Sequence, residues 1–420
     1  MKWTPARIAS ALARRTRWPG DWLGFRRQRL ALSPTVAPPP VLPPFGLFRD
    51  IAVVSQPLPY YVRRPGDAFS MICGPVFPPE GVEPWMRHCV NDQVFDVTPD
   101  QPTGPLKVIE TPAVWLGYLN PHFGHLIAEH LTRALWSRTV RPADLYLYVA
   151  PPRIGLGWPN YHMVDVLSWY GIPTRQMRRV VDPVMVKELR VFPQSELFLG
   201  AGPSAEYLDL LDRHVALADL RPQPSDLLFV TRAGMLARAN GGLAGEGYLR
   251  DVLVGLGVSV LDPATASLRD QLTAYSGAKS IVFSEGSAVH GRQLLGRLDQ
   301  KITVLNRRPG GRTAETILRP RCRQLFFAET SRREIRPDTR PEPIHGDALA
   351  FFDLPVLFDT FAGLGVDLAA EWDACAYAAA VQADVTDWLA ALARTDRGYD
   401  VRLVSDAVGA AMITALGQQR

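Results

Sequence analysis

The chain has 420 residues, 47% of them hydrophobic and 21% charged, a length of roughly two ordinary domains with enough apolar area for two cores. Wholesale disorder is excluded. Its 46 basic and 42 acidic residues leave a net charge of +4, too small and too local for a nucleic-acid-binding surface. No run of about 18 apolar residues occurs, so no spanning helix is expected.

The basic excess sits at the start. Lys2, Arg7, Arg14, Arg15, Arg17, Arg26, Arg27 and Arg29 face the single acid Asp21. With Trp3, Ile8, Leu12, Trp18, Trp22, Leu23 and Phe25 among them, residues 1–30 fit one or two short amphipathic helices broken near Pro19-Gly20. Such an arm suits peripheral contact with an anionic membrane, at about 1 kcal/mol per Arg. Equally it suits packing on its own protein or on a second subunit of a homodimer. No apolar run of signal-peptide length follows the first charges, so a cytoplasmic location is expected. Pro34 to Pro44 holds six prolines in eleven residues, a stiff polyproline-like spacer. Folded structure is expected from Phe45.

From there strand-like and helical patterns alternate. Extended apolar runs occur at Lys107–Glu110, Leu145–Ala150 and Glu188–Phe192, with helical periodicity over Phe123–Arg138 and Asn160–Tyr170. A second block has strand-like runs at Leu227–Thr231, Val258–Leu261, Ser280–Phe283 and Ile302–Leu305. Helices fit Gly247–Leu256, Ser267–Ser276 and His290–Leu298 between them. Strands separated by helices of this length predict βαβ units and parallel sheets. The reading is an α/β chain with two Rossmann-like domains, over 45–215 and 216–330. Residues 331–420 read as a helical extension that braces the first domain or forms its own bundle. One of its helices is expected at Asp384–Arg394, with Asp384 or Thr386 as N-cap. Cys73, Cys89, Cys322 and Cys375 lack metal-site spacing and read as reduced thiols.

Three segments carry chemistry. The first runs from Gly117 through Asn120-Pro121-His122 to His125, Glu129 and His130, placing three of the chain's eight histidines within nine residues. At 3.6 residues per turn His122, His125 and Glu129 share a helical face. His125 beside Glu129 fits a base and its orienter, or equally a helix-stabilising pair. In the second, the strand ending at Thr231 delivers Arg232, followed by Arg238 and Asn240. The carboxyl edge of an open α/β sheet is where ligands bind, and two guanidinium forks could clamp a diphosphate. In the third, a strand runs into Glu285-Gly286-Ser287-Ala288 before a helix expected to begin at His290. Small residues admit a close ligand, a helix N-terminus attracts phosphate, and Glu285 could accept from ribose hydroxyls. No P-loop or GxGxxG fingerprint occurs, and no acidic pair is placed to hold a metal–nucleotide.

In order and spacing these residues resemble the family 61 glycosyltransferases, often described as capsular polysaccharide biosynthesis proteins. Asn120, His125, Glu129, Leu131, Arg133 and Trp136 carry the first motif. Thr231-Arg232 with Arg238 and Asn240 carry the second, and Glu285-Gly286-Ser287-Ala288 the third. The matched span is roughly residues 113–306. The pattern departs from the family at Glu285, where many members have His, and at Asn240-Gly241. The resemblance implies a GT-B architecture, two Rossmann-like domains facing across a cleft. It implies inverting, metal-independent transfer from a nucleotide-sugar donor to a saccharide acceptor, with no further cofactor. On that reading His125 or Glu129 takes the acceptor proton, with His122 as the weaker candidate. Arg232, Arg238, Ser287 and His290 meet the departing diphosphate. The alternative is a non-catalytic nucleotide- or carbohydrate-binding subunit of a polysaccharide assembly complex.

Overall fold

In the computed structural model, strands run wherever β-branched and aliphatic residues cluster, and they assemble into two principal sheets. The structure describes residues 45–55, 71–150, 161–197, 199–331, 334–337, 345–395, 399 and 404–409. The basic arm, with its membrane or second-subunit contact, and the proline spacer lie outside these residues. Among the described residues no helix is long and apolar enough to cross a membrane.

The first sheet contains β1 (Gly46–Val54), β2 (Gly74–Pro75), β3 (Lys107–Ile109), β4 (Ala113–Tyr118), β5 (Leu145–Val149), β6 (Met177–Arg179) and β7 (Val184–Val191). Its order is β6-β5-β4-β7-β1-β2, with β3 also paired to β7. Strands β6, β5, β4 and β7 are parallel, and β1 adds antiparallel to β7. The second sheet contains β8 (Ser225–Val230), β9 (Ser259–Leu261), β10 (Ala278–Ser284), β11 (Leu298–Leu305) and β12 (Cys322–Ala328), in the order β9-β8-β10-β11-β12. All its pairings are parallel. Counted along the chain this is 2-1-3-4-5, a doubly wound order whose switch point lies between β8 and β10.

Alternation along these strands assigns their faces. Leu228, Ile281, Ile302 and Leu325 stand in register across the second sheet and point into the largest apolar cluster. That cluster also takes Val114, Leu116, Tyr146 and Tyr148 from the first sheet. Between the sheets lie α2 (Tyr161–Trp169), α3 (Ala205–Leu217) and α5 (Leu268–Gly277), preceded in the chain by α1 (Ala134–Val140). The two sheets thus share one continuous apolar layer. On the opposite face of the second sheet, Phe229 and Val282 meet α4 (Glu246–Gly255), α6 (Leu354–Ala362) and α7 (Ala374–Arg394).

The C-terminal extension therefore covers the second sheet. It neither braces the first nor stands apart. It is not wholly helical, because Leu349–Phe351 pairs with Gly242–Ala244. Helix α7 begins ten residues before the expected start, capped by Asp373, whose carboxylate accepts from the Cys375 and Ala376 N–H groups. Asp384 instead lies mid-helix and accepts from the Gly245 N–H.

Two expected helices take other forms. The stretch from Phe123 is a short α-turn, Phe123–His125, followed by a π-helical turn, Leu126–His130, closed by a 2.9 Å bond from Leu131 N–H to Leu126 O. A regular helix resumes at Ala134. The segment expected as His290–Leu298 is a 3₁₀ helix over Ser287–Leu294, and Leu298 already begins β11. Residues 288–294 are buried on all sides, so no amphipathic period marks the helix type.

Candidate functional site

The carboxyl ends of β8 and β10 are neighbours at the switch point, and Glu246 joins them. Its buried carboxylate accepts from Thr231 Oγ1 at 2.9 Å, from the Arg232 N–H, and from Ser284 Oγ at 2.9 Å. Burial raises the Glu246 pKa, opposed by these hydrogen bonds and by the charge of Arg232. Arg232 then lays its side chain across Gly286. A Cβ on Gly286 would stand 2.0 Å from Arg232 Nη1 and 2.7 Å from its Cδ, so only glycine admits the guanidinium there. Arg232 Nη2 donates to Gly241 O at 2.9 Å. Burial depresses the Arg232 pKa, while Glu246 and Glu285 oppose that fall.

The histidine segment of the first sheet meets this edge. Asn120 Oδ1 accepts from the His122 N–H at 2.8 Å, an Asx-type turn that sets the chain's entry into the helical segment. Asn120 Nδ2 is buried without a hydrogen-bond partner among the described residues. His125 Nδ1 and Glu129 Oε1 are in close hydrogen-bonded contact, the pairing that their spacing predicts. Gly124 packs directly on the second sheet's loop: a Cβ there would lie 3.1 Å from Ser287 Cβ, 3.1 Å from His290 Cδ2 and 3.5 Å from His122 Cε1. His122 is exposed along one edge. Desolvation of its crowded edge, with the positive charge of His125, His290 and Arg232, holds its imidazole below the ordinary value against the pull of Glu129. Three segments more than 100 residues apart thus converge on one edge.

Other expected site residues fall elsewhere. The Glu285 carboxylate has no exposed surface. It accepts from the Arg307 and Arg308 N–H groups at 3.0 Å each, from Arg308 Nε at 2.7 Å and from Thr313 Oγ1 at 3.1 Å. These donors anchor residues 307–313, so Glu285 does not present an acceptor to a ribose. Burial would raise its pKa, but Arg308 and Arg307 outweigh that and hold it low. Arg238 ends the exposed turn Leu236–Arg238 and makes no ion pair among the described residues, so it is not clamped beside Arg232. The half-buried Asn240 donates its backbone N–H to Met235 O. Ala288 is buried, and His290 Nδ1 pairs with Gln293 Oε1 at 2.8 Å.

Sequence reasoning missed Glu246, Arg307 and Arg308. The last two directly follow β11, the same strand-end signal that singled out Arg232. His130 lies on the far side of the π-helical turn. It stacks on His88 with ring centroids 5.0 Å apart, beside a cavity of about 20 Å³ lined also by Tyr118, Asp96, Arg133 and Cys73. That volume suits a water molecule and no larger ligand. Burial lowers the pKa of His88 to about 4, although Glu129 and Asp96 oppose it.

Among the described residues no group of three or more His, Cys, Asp or Glu is placed to hold a metal ion. The four cysteines are free. No protein-family model matches the chain, and no curated protein matches it. Chemically, the edge combines an imidazole–carboxylate pair, a second imidazole, a serine hydroxyl and a guanidinium held under a glycine. That set can accept a proton from a hydroxyl and meet an anion on the same face.

Proposed function

We propose that the chain is an inverting, metal-independent glycosyltransferase with a GT-B-like arrangement, moving a sugar from a nucleotide-sugar donor to a saccharide acceptor in surface-polysaccharide synthesis. The observation that carries this reading is the meeting of His122, His125 and Glu129 with Arg232, Ser287 and His290 at the switch point of a parallel sheet. The acceptor oxygen attacks the anomeric carbon as the bond to the diphosphate breaks. The electron pair leaves on the phosphate oxygen, where Arg232 and Ser287 meet the charge. The acceptor proton passes to the His125–Glu129 pair, with Nδ1 of His125 held by the carboxylate and Nε2 serving as base.

A binding subunit without turnover is the second reading. It is favoured by the Glu285 carboxylate being committed to the chain's own donors. Thermal shift with UDP, GDP, CMP and dTDP, with and without EDTA, tests the reading. One nucleotide is expected to raise the melting temperature as RT ln(1 + [L]/Kd), insensitive to EDTA. No shift at millimolar concentration would overturn the donor assignment. A shift without product formation would support the binding subunit.

A further inference from the structure

We propose that Glu196 and Gln293 hold His290 as its Nδ1–H tautomer, so that Nε2 is the basic nitrogen and His290 takes a proton from a substrate hydroxyl instead of donating to a phosphate. This rests on the transferase reading for the identity of the hydroxyl, and on geometry alone for the tautomer.

Glu196 follows β7 of the first sheet and is 4% exposed. Gln293 Nε2 donates to Glu196 Oε1 at 3.0 Å, and Gln293 Oε1 lies 2.8 Å from His290 Nδ1. Arg321 Nη1, fully buried, stands 2.8 Å from Glu196 Oε2 and supplies the countercharge. A carboxylate only accepts, so the Gln293 amide must turn its NH₂ toward Glu196 and its carbonyl toward His290. Flipped, the amide would set two acceptors face to face with no proton between them. A carbonyl oxygen also only accepts, so the proton sits on His290 Nδ1. A neutral imidazole has one N–H, and Nε2 therefore carries the lone pair.

The ring's Cδ2 edge, away from Nδ1, faces Gly124 at the candidate site. A lone pair presented there repels phosphate oxygens and accepts from a hydroxyl. When the acceptor oxygen bonds the anomeric carbon and the diphosphate departs with its electron pair, the hydroxyl proton moves to Nε2. The resulting imidazolium keeps its Nδ1–H on Gln293. No proton travels along the chain of residues, so Gln293 and Glu196 are positioning residues.

Long-range ¹H–¹⁵N correlation on ¹⁵N-histidine-labelled full-length protein reads the tautomer directly, with the His290 signals assigned by their loss in His290→Gln. The expected wild-type result is a protonated Nδ1 and an unprotonated Nε2. In Gln293→Ala, with the remaining histidine signals unmoved, the ring is expected to shift to Nε2–H or to a mixture. Glu196→Gln is expected to give a mixture, because an amide no longer dictates which way Gln293 turns. An Nε2–H wild type, or an unchanged Nδ1–H in folded Gln293→Ala, would overturn the inference. Failure of every nucleotide to bind, with the tautomer as expected, would instead remove the transferase reading and His290's acceptor role with it.

Discussion

Glu246 carries the most exposed prediction, because one carboxylate joins two strand ends and balances Arg232. Removing it in Glu246→Ala strands the Arg232 N–H and leaves Arg232 facing only Glu285. Thr231 Oγ1 and Ser284 Oγ can rotate, and Thr231 Oγ1 already accepts from the Ala233 N–H at 3.0 Å. One stranded buried donor costs about 1–3 kcal/mol, and losing one partner of a buried charge pair about 3–5 kcal/mol. These overlap, so the expected loss is about 3–5 kcal/mol in urea unfolding. Glu246→Gln keeps an oxygen for Thr231 and Arg232, and the Ser284 hydroxyl can turn to accept, so its loss at pH 5 is expected to stay under about 1.5 kcal/mol. The pH dependence separates them further. Burial raises the folded-state pKa of Glu246 above its unfolded value. Its contribution is then complete below the unfolded carboxyl range and fades as pH rises through the folded value. Wild type minus Glu246→Gln should show that decline. An Ala variant within about 1 kcal/mol of wild type, or a flat difference curve, would refute the reasoning.

Other sites give sharper contrasts. Glu285→Gln should cost about 3–5 kcal/mol, since it unpairs the buried end of the Arg308 contact; denaturant titration measures it. Its folded pKa is depressed, so its contribution is present above the unfolded carboxyl range and is lost as pH falls through the folded value, opposite to Glu246. In Gly286→Ala the new Cβ expels the Arg232 guanidinium, and calorimetry should show nucleotide affinity falling roughly 10- to 100-fold; unchanged affinity would remove Arg232 from the site. Arg232→Ala should weaken nucleotide binding more than Arg238→Ala, because an exposed side chain loses rotamer freedom when it grips an anion. Trp388→Ala should cost about 3–5 kcal/mol. Its ring is fully buried beneath the second sheet and donates to Asp347 O at 3.1 Å, so a near-neutral melting curve would mean that the C-terminal helix is dispensable.

Much of the fold is legible in the chain because strands and helices announce themselves locally. The runs at Leu227–Thr231, Ser280–Phe283 and Ile302–Leu305 are apolar on both faces, as fully covered parallel strands must be, and each lies within or one residue past an observed strand. His125 and Glu129 meet because four residues separate them along a helical path. Strand ends were legible too: Arg232 and Ser287 follow β8 and β10, and a parallel sheet places such ends at one edge. The fate of residues that are buried on every side was not legible. The π-helical turn that sends Glu129 to one side and His130 to the other leaves no mark in periodicity, because all five of its residues are buried. Composition likewise made Glu285 a ligand acceptor, whereas Arg307, Arg308 and Thr313 reach it only through the loop after β11. Local propensity and strand-end position thus determined which residues crowd the edge. Which of them face a ligand and which hold the edge together was decided by partners more than 100 residues away, such as Glu196 for His290, because a hydrogen bond depends on distance in space and not on order in the chain.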